Sequence, residues 1–369
     1  MRRQNEQSLV LKVCDLEDGD SRAAYKTFNN DFRTYKRLKM YVHAEASGEN
    51  ELDLADDDLS LFIRLGTDFN DNYYEYEIPL KVTPWGVSKL DDELIWPTAN
   101  ELNIAFDELL DEKKLRNKAV RDGNHSTTTD PFSRVGSRIT VVGNPNLSKV
   151  KTIMLGIRNP KKGQPNSSSF DEGSSKCGEV WLNELRLTDF DERGGYAANG
   201  RINARLADFA NVNLTGSMST IGFGTIDQSL TARQKYDAYQ YDFSSSFALG
   251  NFFGQKANIK LPMYIGVSES IQNPQYNPLD PDITLKASLD EIETKDEKDE
   301  LKEIAQDLTK RKSINFTNVR KNKSNSNSKK SKIYDLENFS TTYSRNETFS
   351  RNSSLKERTT VTSKMSLNY

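Results

Sequence analysis

Histidine and cysteine are nearly missing from this sequence, at two residues each in 369. A zinc finger or a Cys–His nucleophile pair needs these side chains at set spacings, and Cys14 and Cys177 have neither a zinc nor a redox spacing. They allow two readings: a disulfide, as an oxidising envelope would favour, or two unpaired, half-buried thiols. His43 stands on an alternating strand opposite Val42 and Ala44, which predicts a surface or rim position. His125 falls in the polar run Gly123–Asp130. Neither histidine has a nucleophile and a carboxylate at a recognisable spacing. No catalytic residue is expected, and the chain is not expected to be an enzyme.

Long apolar runs are also absent. No stretch approaches the roughly 20 residues a membrane-spanning helix needs. That excludes a helical membrane protein but leaves a barrel, whose strands are only half apolar. The opening MRRQNEQSLVLKV has no apolar core and no cleavage site, so it is not a signal peptide. A barrel has to be exported, which makes an internal piece of a longer polypeptide the expectation. Hydrophobic residues make up 35% and mean hydropathy is -0.75, low for one compact globule. The length allows two or three domains.

Net charge is -3, but it is unevenly spread. Residues 1–190 are acidic by about 6 charges and residues 310–369 basic by about 10. A nucleic-acid arm is one explanation of the basic end. A polar barrel lumen with basic turns is the simpler one, and no nucleic-acid partner is expected.

Residues 7–190 read as a β-sandwich. Leu38, Met40, Val42 and Ala44 share one face at period two, and Leu59–Gly66 and Tyr73–Leu80 form a hairpin around Asn70–Asn72. One helix is predicted over residues 100–118, with Leu102, Phe106, Leu109, Leu110 and Leu115 at helical spacing. Several short strands with turn signals and one helix suit a jelly-roll-like sandwich over residues 1–192.

Residues 193–369 have a different grain. Val212, Leu214 and Met218 face one way, and Asn213, Thr215 and Ser217 the other. Strands predicted at Asp242–Phe252, Lys256–Glu269, Ser313–Arg320, Leu336–Phe349 and Glu357–Tyr369 repeat this alternation of apolar with small polar residues. Tyr241 and Tyr264 stand near strand ends, as aromatic residues do at a bilayer surface. About seven wall strands are fewer than the smallest closed membrane barrel, so closure would need further sequence. A Pro-broken loop and a charged helical insert interrupt the sheet at residues 271–312, with Glu291–Lys295 and Asp307–Arg311 as i,i+4 pairs on a charged helix or helix pair over Leu285–Lys312. Ser324–Ser331 has the composition of a flexible linker. The fold class expected is all-β: a jelly-roll-like β-sandwich, then antiparallel transmembrane strands of a partial large barrel with that helical insertion. Connection parity puts the sandwich, the 222–240 loop and the 271–312 insert on one side of the membrane, taken as extracellular.

The connected run Gly178–Gln228, GEVWLNELRLTDFDERGGYAANGRINARLADFANVNLTGSMSTIGFGTIDQ, resembles the SprA (Sov) family of gliding-motility and secretion proteins of Bacteroidetes. The resemblance continues upstream over Asn5–Ala46 and downstream over Asp280–Glu293, Thr309–Lys321 and Leu336–Asn352. It implies an outer-membrane translocon of the type IX secretion system at the cell surface. The implied fold is a very large single-chain barrel that passes folded cargo. The implied partners are the remainder of the translocon chain, a PorV-type shuttle barrel, a plug protein, the cargo and outer-membrane lipid. Members of the family are several times longer than this chain.

Weaker candidates remain. Asp56, Asp58, Asp68 and Asp71, with neighbouring Asp53, Asp57 and Asn70, are the best metal candidates, since calcium takes several oxygen ligands. They lack the EF-hand order, and a solvated acidic loop is the plainer reading. No other cofactor is expected. Trp85, Trp96, Tyr73, Tyr74 and Tyr76 could line a sugar-binding face, which gives an alternative function: a carbohydrate-binding surface β-sandwich. Alternation puts at least half of them in the core. Gly222–Gly224 is followed by no helix and so fails as a phosphate loop.

Overall fold

A computed structural model describes residues 7–47, 54–87, 91–164, 166–168, 171–254, 257–323 and 332–369. Asp53 and the linker Ser324–Ser331 lie outside the described residues. The chain divides into two compact units, Met1–Asp191 and Glu192–Tyr369.

The first unit runs β1 (Leu9–Leu16), β2 (Ser21–Asn30), β3 (Tyr35–Glu45), β4 (Ser60–Gly66), β5 (Tyr73–Pro79), α1 (Asp92–Ile95), β6 (Leu102–Ala105), α2 (Phe106–Arg121), β7 (Ile139–Val142), β8 (Val150–Arg158) and β9 (Lys176–Phe190). These strands make two antiparallel sheets, ordered β1-β9-β3-β6 and β2-β8-β4-β5-β7. Leu38, Met40 and Val42 of β3 meet Leu61, Ile63 and Leu65 of β4 in one buried cluster. Both sheets therefore turn every second side chain into a shared core.

Helix α2 starts later than its leucine spacing predicts. Leu102 and Ile104 belong to β6, where Leu102 pairs with Met40, and the helix proper begins at Phe106. A free ladder edge on β3 outbids helix propensity over those four residues. The helix also buries a charged stripe, Glu112, Lys113 and Arg116, while Leu115 is exposed. Lys113 Nζ donates to the Pro145 carbonyl at 2.9 Å, and Arg116 Nη1 to the carbonyls of Thr128 at 2.9 Å and Gly143 at 2.5 Å. The stripe thus satisfies loop carbonyls that would otherwise be orphaned under the helix.

The second unit runs β10 (Ala197–Leu206), β11 (Ala210–Ser219), β12 (Tyr236–Ala248), β13 (Ile259–Lys260), β14 (Pro262–Pro274), β15 (Tyr276–Asn277), β16 (Asp280–Thr284), α3 (Leu285–Asp290), α4 (Lys295–Ala305), β17 (Asp307–Lys321), β18 (Ser340–Asn352) and β19 (Leu355–Asn368). Its main sheet is ordered β10-β11-β12-β14-β17-β18-β19, entirely antiparallel, with β13 off the path. The sheet is open, with β10 and β19 as its edges.

Three expectations are corrected in this unit. The helical insert is shorter than predicted: α4 ends at Ala305, and Asp307 and Arg311 lie on β17, paired with Gln272 and Ser268. Their i,i+4 spacing is real in sequence, but an available partner strand claims the backbone. Of the strand predicted at Lys256–Glu269, Lys256 lies outside the described residues, the rest is interrupted at Leu261 and its main part continues to Pro274; the strand predicted at Asp242–Phe252 is β12, which starts at Tyr236 and ends at Ala248 before a 3-10 turn over Leu249–Phe253.

Candidate functional site

The register fixes which residues share a face of the open sheet. Across one row Ile202 lies opposite Leu214, Leu214 opposite Phe243, and Phe243 opposite Val267. The next rows hold Ala204, Val212, Ser245 and Ile265, then Leu206, Ala210, Phe247 and Met263. Apart from Ser245 these three rows are apolar from β10 to β14. The face is also open: Ile202 is 64% exposed and Val267 43%. The lone hydroxyl among these rows, Ser245, is buried and donates to the Asn211 carbonyl at 3.1 Å.

The opposite face is built from small polar residues. Asn203 pairs with Asn213, Asn213 with Ser244, and Ser244 with Gly266; the flanking row holds Arg201, Thr215, Asp242 and Ser268. Farther on, Asn315 pairs with Ser344 and Ser344 with Lys364. Strict alternation over strands of 10 to 15 residues separates the two chemistries completely along β11.

The apolar face changes character at β17 and β18. Lys310 Nζ is 2.9 Å from Glu269 Oε1, Lys312 lies opposite Glu347, and Arg345 stands in the adjacent row. Arg351 pairs with Glu303 of α4 at 3.0 Å and with Gln306 at 3.1 Å, which ties the insert to the rim of the sheet.

Aromatic side chains collect at both ends of this face. Tyr239 stands toward one end of β12, with Tyr241 next along this face at mid-strand, and Phe247 stands at the other end, packed with Phe209, whose ring meets Phe252 edge to face. The start of β10, the 220–235 connection and the 275–306 insert all belong to the Tyr239 end. Among the described residues no helix is long and apolar enough to cross a membrane.

The metal candidates of the first unit are dispersed and engaged. Asp56 accepts from the Val82 N–H at 2.9 Å and lies near Lys81. Asp58 is buried, accepting from the Ala55 N–H at 3.0 Å and pairing with Lys176 at 2.9 Å. Asp68 caps the β4–β5 turn, its Oδ1 accepting the N–H groups of Asn70, Asp71 and Asn72 at 3.1, 2.6 and 2.9 Å. Burial alone would raise its pKa; hydrogen bonds from the Asn72 side chain and these amides outweigh that and hold the carboxyl below the usual range. Asp71 contributes its backbone N–H to Asp68 and its carbonyl to a contact that leaves no room for a Cβ at Gly143. Among the described residues the one trio of ligand types close together is Cys14, Asp15 and Cys177. The four aspartates are not assembled into a ligand set, and the two sulfurs are bonded to each other as a disulfide.

His43 is buried, not at a rim. Its ring packs near Trp96 and Trp181, because α1 and the Trp96 segment cover that end of β3. Thr83 Oγ1 is 3.1 Å from His43 Nδ1 and Glu45 Oε2 is 3.4 Å from Nε2, a geometry that resembles a triad. However, Nδ1 is also 2.7 Å from the Ile95 carbonyl, and Thr83 donates to the Leu94 carbonyl at 3.1 Å. A carbonyl only accepts, so Nδ1 carries the proton and cannot take one from Thr83. The histidine anchors α1.

Tyr73, Tyr74 and Tyr76 are all buried, while Trp85 is exposed and Trp96 is spent against His43. These five rings do not form a sugar-stacking platform. Sequence periodicity missed a charged layer on the outer face of the five-stranded sheet. Glu75 takes Arg64 at 2.6 Å and Arg158 at 3.0 Å, Glu77 takes Arg158 and Ser60, and Phe62 lies beneath both guanidinium groups. Burial would lower the Arg158 pKa, but Glu75 and Glu77 raise it on balance, so it stays charged. Alternating Ser60, Phe62 and Arg64 against Glu75 and Glu77 was the available signal.

These features define a mostly-β, antiparallel protein with a cored two-sheet unit and an open two-faced sheet. The chain belongs to the SprA_N family of motility-related/secretion proteins, whose match spans residues 1–289. No curated protein matches it. Among solved structures it is similar to PNGase F, a glycosylasparaginase from Flavobacterium meningosepticum, at 12% identity over 74% of this chain and 73% of that one, with a TM-score of 0.20. A TM-score that low says nothing about fold or activity here.

Proposed function

We propose that this chain is a wall segment of an outer-membrane β-barrel, with a jelly-roll-like sandwich attached, in the type IX translocon that exports folded proteins and supports gliding motility. The two-faced sheet carries this reading. Aliphatic and aromatic side chains exposed across β10–β14 suit hydrocarbon, and Asn, Ser and Thr on the other face suit a wet lumen. Tyr239 and Phe247, eight residues apart, are about 27 Å apart along the strand. Tilted as barrel strands are, that is about 20 Å of height, close to the roughly 25 Å apolar band between aromatic girdles.

In lipid the unpaired edges β10 and β19 need further strands, which the remainder of a longer translocon chain would supply. The partners proposed with it are a PorV-type shuttle barrel, a plug protein and the secreted cargo. The contribution is passive: the wall separates lipid from water, uses no cofactor and performs no covalent chemistry. The end of the sheet that bears the 275–306 insert is assigned to the cell exterior.

Cysteine scanning of β11 tests the reading. In outer-membrane fractions, Asn213→Cys and Thr215→Cys should react with a membrane-impermeant maleimide, while Val212→Cys and Leu214→Cys should react only with a lipid-soluble one. Equal reaction of all four with the impermeant reagent, or recovery of the chain as a soluble monomer, would overturn it.

A further inference from the structure

Two adjoining hollows on the outer face of the five-stranded sheet, of about 420 and 640 Å³, share Glu77, Gly136, Ser137, Arg138 and Asn166 and form one cleft. Each hollow by itself falls within the roughly 300–1,000 Å³ usual for small-molecule sites. One wall is the loop 133–138 and the other is made by Pro160, Lys161, Gln164, Asn166 and Ser167, with Ser60, Thr140 and Arg158 contributing to the floor.

The first wall is fixed from behind. Glu112 of α2, fully buried, accepts from the Arg134 backbone N–H and Nε, both at 2.8 Å, and lies 3.4 Å from the Ser137 hydroxyl. The second wall is held by Asn159, whose side chain donates to the carbonyls of Leu16 and Ser174 at 2.9 and 3.0 Å, and by the Lys162 N–H on Asp18 at 2.9 Å. Asn166 reaches across to Glu77 at 3.4 Å. Both walls are therefore set before any ligand arrives, which spares ordering entropy on binding.

The smaller hollow carries excess positive charge. Four cations line it, Arg134, Arg138, Arg158 and Lys161, against one carboxylate, Glu77. Arg134 is neutralised by Glu112, and Arg158 by Glu75 and Glu77. Arg138 and Lys161 have no carboxylate partner among the described residues, and they stand on opposite walls. The rest of the cleft offers hydroxyl and amide groups, with Asp56 and Asp57 at the far end of the larger hollow already held by Lys81. A guanidinium fork and an ammonium on opposite walls of one hollow suit a carboxylate or phosphoryl group. The surrounding hydroxyls, amides and carboxylates match a ligand rich in hydroxyl groups.

We propose that this cleft binds a small polyhydroxylated anion, about the size of one acidic monosaccharide, with Arg138 and Lys161 gripping its charge. The proposal stands whether or not the second unit lies in a membrane. Calorimetric titration of the full chain with glucuronate, glucose 6-phosphate and neutral glucose tests it. At least one of the two acids should bind with a Kd of about 1 mM or tighter, and glucose at least about tenfold more weakly. The preferred acid tells whether a carboxylate or a phosphoryl group is read. Arg138→Ala and Lys161→Ala should each weaken acid binding at least about fivefold and leave the melting temperature unchanged, because neither side chain has an ionic partner to lose. Glucose binding as tightly as the acids, wild-type affinity in both variants, or no binding of either acid at about 20 mM would overturn the proposal.

Discussion

Lys310 Nζ lies 2.9 Å from Glu269 Oε1 across the β14–β17 pair, on the same face as Ile265 and Val267. In water such an exposed pair contributes about 0–1 kcal/mol. Against hydrocarbon, removing one partner strands a charge and costs about 3–5 kcal/mol. The pair therefore reports on the medium that touches this face. A double-mutant cycle of Glu269→Gln and Lys310→Met, measured by urea unfolding from lipid vesicles, should give a coupling above about 1 kcal/mol. A coupling near zero would place the pair in water and count against a lipid-facing wall.

Cys14 and Cys177, separated by 163 residues, join the neighbouring strands β1 and β9. A cross-link that closes so long a loop removes much freedom from the unfolded chain. Replacing both cysteines with alanine should cost about 2–5 kcal/mol of unfolding free energy for the first unit. Non-reducing peptide mapping of the protein isolated under thiol-blocking conditions should recover the linked pair of peptides. Free thiols at both positions in that material would contradict it.

Asp68 gives the first unit an acid-sensitive turn. Its folded pKa lies below the ordinary value, so its stabilising contribution is complete above about pH 3.9 and is lost as pH falls through the folded pKa. Asp68→Asn should lower the urea midpoint at neutral pH, and the gap to the unaltered protein should close in acid below that folded pKa. A gap that stays constant down to strong acid would show that charge plays no part in capping the turn.

Much of the architecture follows from period-two alternation. Leu38, Met40, Val42 and Ala44 line the core side of β3, and Val212, Leu214 and Met218 share one face of β11, as their spacing requires. Alternation failed where a partner outside the segment decided the outcome. Leu102 and Asp307 sit in helical patterns, yet each is claimed by a neighbouring ladder. His43 alternates with buried neighbours and was expected outside, but the non-sequential Trp96 segment covers it. The charged stripe of α2 was illegible for a related reason: Glu112, Lys113 and Arg116 satisfy groups 12 to 32 residues away, and nothing local marks those partners. The polar cleft was missed because its loops carry no periodic pattern. The sequence allowed either a disulfide or free thiols; the pairing of β1 with β9 decides between them.

The covalent bridge between β1 and β9 has a mechanical consequence. Tension applied to the polypeptide on either side of Cys14 and Cys177 passes through the sulfur–sulfur bond and skips the sandwich between them. Most of the strands, both helices and the cleft are thereby taken off the load path. A member of a motility-related and secretion family that bears load can strain its backbone without unravelling this module, so long as the two sulfurs stay joined.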